Sequence, residues 1–176
     1  MWDRSATSDT KDHSPLGEMA DHNARVVQIC DLLEAMADDL PRRPVPVWRE
    51  AARMCEEVVK RHYKLVLDVL LPVLEARTLG EEDCEDVLRR VHADFEDEAS
   101  KLLELNALML DTVGDSAGKI EPEALGYALR CFFVALRRNA SWEADVLLPL
   151  ARRRLNIDDL DMLRRLMQMD ANIKPA

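Results

Sequence analysis

His22, His62 and His92 stand where apolar residues are due. Each falls within a helical stripe: His22 between Met19 and Val26, His62 between Val59 and Val66, His92 between Leu88 and Phe95. Asn139 and Glu143 interrupt a fourth stripe, between Leu136 and Val146. Spacings of three and four residues keep such positions on one face of a helix, so all five are expected to point inward. A buried carboxylate costs several kcal/mol unless it is compensated. A metal ion is one compensator, and a histidinium or arginine is another. The remaining histidine, His13, sits in a polar segment at the start of the chain.

Counting residues tests whether these groups share a level. Sixteen residues separate His22 from Asp38, and sixteen separate Pro46 from His62. Twenty-one separate His92 from Val113, and twenty-one separate Pro122 from Glu143. At a helical rise of about 1.5 Å per residue, each pair comes level across an antiparallel hairpin. One polar layer across a bundle requires this.

The elements that must position the layer are helices. Ser14-Pro15 starts the first, which runs to about Asp38; Pro41, Pro44 and Pro46 form the connection after it. A second is expected from Val47 to Arg77, with an inner face of Cys55, Val59, Val66, Val69 and Val73, a kink at Pro72, and closure at Leu79-Gly80. A third is expected from Glu81 to Val113, with Leu88, Phe95, Ala99 and Leu102 inward and a turn at Gly114 to Gly118. A fourth runs from Glu121-Pro122 to Leu155, with Pro149 near its end. Asn156 to Asp159 caps a short fifth helix that ends near Met169; Met162, Met167 and Met169 are expected to pack it on the rest. No stretch reads as a strand. The expected fold is all-α, an antiparallel up-down-up-down four-helix bundle with a short extra C-terminal helix over residues 14–170. Residues 1–13 and 171–176 are read as tails.

Asp68-Val69-Leu70-Leu71-Pro72 recurs as Asp145-Val146-Leu147-Leu148-Pro149, 77 residues later and again late in a long helix. That echo reads as a duplicated helical hairpin. It aligns His62 with Asn139 and Val66 with Glu143.

Taken together, these residues resemble the hemerythrin-like (HHE cation-binding) family over roughly residues 16–155. The resemblance implies a four-helix bundle around a non-haem di-iron centre. Its ligands are one His on helix 1, His-x-x-x-Glu on helix 2, one His on helix 3 and His-x-x-x-Glu on helix 4, with Pro six residues past each Glu. Carried over, His22, His62, His92 and Glu143 match, whereas Val66 stands for a Glu and Asn139 for a His. The resemblance therefore implies an incomplete site: one iron rather than two (zinc or manganese also suit it), on His62, His92 and Glu143, with His22 as fourth ligand or support. Dioxygen or nitric oxide is the implied small ligand, and oxygen, nitric oxide or redox sensing the implied task. A metal-free bundle, in which the histidines hydrogen-bond Glu143 and the chain serves as a scaffold or interaction module, is the alternative reading.

Composition bounds the rest. The chain has 176 residues, 48% hydrophobic and 33% charged, with a net charge of −10. This fits one helix-rich domain and argues against nucleic acid or an anionic membrane as partner. No apolar run is long enough to cross a bilayer, and no secretory h-region is seen near the N-terminus. Cys30, Cys55, Cys84 and Cys131 form no CxxC pair, so a reducing cytoplasm with free thiols is expected. A homodimer is compatible with the pattern, which does not require one.

Overall fold

The computed structural model describes residues 12–40, 45–111 and 121–172. The turn expected at Gly114 to Gly118, Pro41 and Pro44, and most of the two tails lie outside the described residues. Among those described, every regular element is helical.

Helix α1 (Pro15–Asp38) starts as expected: the Gly17 N–H donates to Ser14 Oγ at 3.0 Å, and Pro15 occupies the first helical position. Its buried stripe runs Leu16, Met19, Asn23, Val26, Ile29 and Cys30, Leu33, Met36. Helix α2 (Val45–Lys64), a π-helical turn (Leu65–Leu70) and α3 (Leu71–Thr78) follow one another with helical dihedrals at the junctions. Gly80, at φ 83°, then turns the chain into α4 (Glu82–Asp111). Helix α5 (Pro122–Trp142), a second π-helical turn (Glu143–Leu147) and α6 (Leu148–Arg154) repeat the arrangement.

The two π-turns explain how proline is tolerated inside a helix. Pro72 lacks an N–H, and its ring would meet the carbonyl four residues back. The turn before it widens, so that the Leu71 N–H reaches the Val66 carbonyl five residues back. Ahead of Pro149, the Leu148 N–H reaches the Glu143 carbonyl in the same way. The repeated Asp-Val-Leu-Leu-Pro thus carries one backbone event twice, with the carbonyls of the equivalent residues Val66 and Glu143 as the acceptors.

Helix α7 (Ile157–Asn172) begins with a reciprocal cap. The Asp159 N–H donates to Asn156 Oδ1 at 3.0 Å, and the Asn156 N–H to Asp159 Oδ2 at 2.9 Å. Arg77 Nε also reaches Asp159 Oδ2 at 2.8 Å, tying α3 to this cap. Leu163 and Met167 bury the inner side of α7. Contrary to expectation, Met162 and Met169 do not: they are 48% and 66% exposed.

Helix α1 packs on α2 and α5, and α4 packs on the same two. Between them lies one apolar core including Leu33, Leu70, Leu102, Leu105, Leu129 and Phe132. Cys30, Cys55 and Cys84 are buried within it, whereas Cys131 is exposed. Among the described residues, no helix is long and apolar enough to cross a membrane.

Candidate functional site

Seven polar or charged residues are buried among those described, including Asn23 of α1, His62 of α2, Glu98 of α4, Asn139 of α5 and Glu143 of the second π-turn. His62, on the last turn of α2, meets Glu143, the first residue of the second π-turn. Nε2 lies 3.0 Å from Oε2 and 3.2 Å from Oε1, with the two side chains 4% and 7% exposed. Next to His62, the Tyr63 hydroxyl donates to Glu98 Oε2 at 3.0 Å. The other Glu98 oxygen accepts from Asn139 Nδ2 at 2.5 Å. Asn23 on α1 donates to the Ala140 carbonyl at 2.8 Å, one residue beyond Asn139. Phe95 walls the layer, edge-on to Tyr63 with centroids 4.8 Å apart and tilted to His62 at 5.8 Å.

The electrostatics follow from burial. Desolvation pushes the Glu98 carboxyl up to about 7, and the nearby Glu143 charge works in the same direction; the bonds from Tyr63 and Asn139 work against it. Burial raises the Tyr63 phenol well above its ordinary range, helped by Glu98. Cys30 and Cys55 are each pushed up to about 12 by burial, as inert core thiols.

The structure brings together two of the four residues expected to ligate a metal. His62 and Glu143 touch. His92 does not face inward: it is half exposed on the outer side of α4 and meets Glu75 of α3, Nε2 to Oε1 at 3.2 Å. The inner position of that turn is Val91, three residues after Leu88, where the sequence reading took the four-residue step. His22 is half-buried beside a cavity of about 190 Å³ that Glu18, Arg61, Arg164 and Gln168 also line. Burial, followed by the charges of Arg25 and Arg61, lowers its pKa to about 4, so the ring is neutral at pH 7. The buried α1 residue is its neighbour Asn23, four residues after Met19 rather than three.

Sequence reasoning thus missed Asn23, Tyr63 and Glu98. Glu98 lies three residues after Phe95, where the expected inner residue was Ala99, and is 2% exposed. Its place in the acidic run Glu96-Asp97-Glu98 gave the look of a solvated face. Among the described residues, no group of three or more His, Cys, Asp or Glu side chains is arranged to hold a metal ion. Nor does any family model, curated protein or solved structure match the chain.

The ligand set that the resemblance implies does not fit this interior. Val66 is 3% exposed and apolar where the resemblance implies a Glu, and His92 points away. The surviving polar groups are paired: both Glu98 oxygens accept hydrogen bonds, and His62 Nε2 lies against the Glu143 carboxylate. Among the described residues, the buried side-chain atoms without a partner are Asn23 Oδ1 and Asn106 Oδ1.

Proposed function

We propose that the chain is a hemerythrin-like, antiparallel up-down-up-down four-helix bundle with an extra C-terminal helix, and that it works without a metal, as a protein-interaction or scaffold module. The observation that supports this best is the pairing within the polar layer, His62 with Glu143, and Tyr63 and Asn139 with Glu98. A metal ion would have to break these bonds before making its own. On this reading the chain acts through its outer surface. On α5 that surface carries Tyr127, Cys131 and Val134 at helical spacing, with Tyr127 72% and Val134 58% exposed.

Metal content decides between this reading and the single-ion one. After anaerobic incubation with Fe(II) and desalting, elemental mass spectrometry should find far less than one iron, zinc or manganese per chain. About one ion per chain, lost in His62→Ala, would favour the metal-binding reading instead.

A further inference from the structure

We propose that the cavity between α1, α2 and α7 is a binding site for a small zwitterion, a free α-amino acid. Its wall carries charges of both signs that do not close on each other. Glu18 and His22, one turn apart on α1, line about 190 Å³ together with Arg61 from the last turn of α2 and Arg164 from α7. Among the described residues, Glu18 pairs with neither arginine, and Arg61 pairs with no carboxylate. Arg164 gives one N–H to Asp161 Oδ1 at 2.6 Å and keeps the remaining N–H groups of its fork. Elsewhere on the surface such groups do pair: Arg53 with Glu50 and Glu57, Arg137 with Asp31 and Glu34. Around this cavity they stay apart.

Such a wall suits a molecule that brings both charges. A carboxylate presents two oxygens to the planar guanidinium forks of Arg61 and Arg164, the geometry to which arginine is fitted. An ammonium group on the next carbon answers Glu18. A simple anion would meet Glu18 as a like charge, and a simple cation would meet two guanidinium groups, so neither alone matches the wall. His22 adds one ring nitrogen, as donor or acceptor according to tautomer. The apolar part of the lining, buried Pro15 and Met167, receives the amino acid's side chain. The volume lies below the roughly 300 Å³ at which pockets for drug-sized ligands begin, which limits the occupant to a small molecule.

The whole chain is kept in EDTA, so that a metal ion on His22 cannot carry the binding, and the common amino acids are added one at a time while amide resonances are followed by NMR. At least one should saturate at millimolar concentration and move resonances of α1, α2 and α7 around the cavity. Its des-amino and decarboxylated analogues should each bind about tenfold more weakly or worse, the loss of one charge-assisted contact. Arg61→Gln should weaken the amino acid by a similar factor, and Glu18→Gln should erase its advantage over the des-amino acid. Both side chains are exposed, so these variants should fold as the wild type does. Arg53→Gln, which removes an arginine already held by Glu50 and Glu57, should leave the affinity unchanged. No saturable binding, equal binding of the des-amino acid, or binding indifferent to Arg61→Gln overturns the site. Binding that appears only without EDTA overturns both the site and the metal-free reading.

Discussion

Replacing His62 by alanine is expected to destabilise the chain by about 3–5 kcal/mol, the range for breaking a buried pair from one side. The magnitude comes mainly from what is left behind. Glu143 is 6% exposed, and without His62 its carboxylate has no bonded cation or donor among the described residues. Phe95 also loses the imidazole against which it packs. Urea unfolding should show a lower midpoint with an unchanged slope. Replacing both partners by leucine should recover most of the loss, because a buried pair exchanged for apolar groups of similar volume is often neutral. A loss below about 1 kcal/mol in His62→Ala would mean that the contact with Glu143 matters little.

The second large effect is expected at Val66. Val66 and Glu143 occupy equivalent places in the repeat, and each accepts the five-residue hydrogen bond of its π-turn. Their backbones do the same thing, and only the side chains differ. Val66→Glu places a carboxylate at a site 3% exposed, where the resemblance implies a Glu ligand. With a metal in reach, that substitution would restore a ligand. In a closed interior it adds an unpaired buried charge, for an expected loss of about 3 kcal/mol or more at pH 7. The loss should persist when Asn139→His is added and Fe(II) supplied anaerobically, as measured by unfolding with and without the metal. Stabilisation that grows with Fe(II) concentration would show binding to the folded state and contradict the account.

Much of the architecture was legible because its signals are local. Ser14-Pro15, Leu79-Gly80 and Asn156 with Asp159 mark helix ends through capping chemistry that needs no tertiary context. Pro72 announced a disturbance in its helix, whereas Pro149 read only as a residue near a helix end. Neither announced a π-turn rather than a sharp kink, because a proline's missing bond can be absorbed either way.

The site was legible only in part, and the reason is one of phase. A helix of 3.6 residues per turn takes inward steps of three or four, and an apolar stripe interrupted once does not say which. His62 lies three residues past Val59 and four before Val66, both buried, so either count keeps it inside. Between Leu88 and Phe95, Val91 and His92 compete for one inward place, and the apolar residue takes it. Between Met19 and Val26 the choice lies between His22 and Asn23, and the shorter amide goes inward, where Ala140 offers a carbonyl. Glu98 was concealed by the opposite bias, that an acid among acids faces water.

The most direct test of the central claim is the imidazole of His62 itself, observed by ¹⁵N NMR while Zn(II) or anaerobic Fe(II) is added. The account predicts a protonated Nε2, its hydrogen held by Glu143 and slow to exchange, with a resonance unchanged at one equivalent of metal. A stoichiometric shift, or loss of that proton as the metal is added, would show Nε2 turning from donor to ligand, and the closed polar layer would give way to a metal centre.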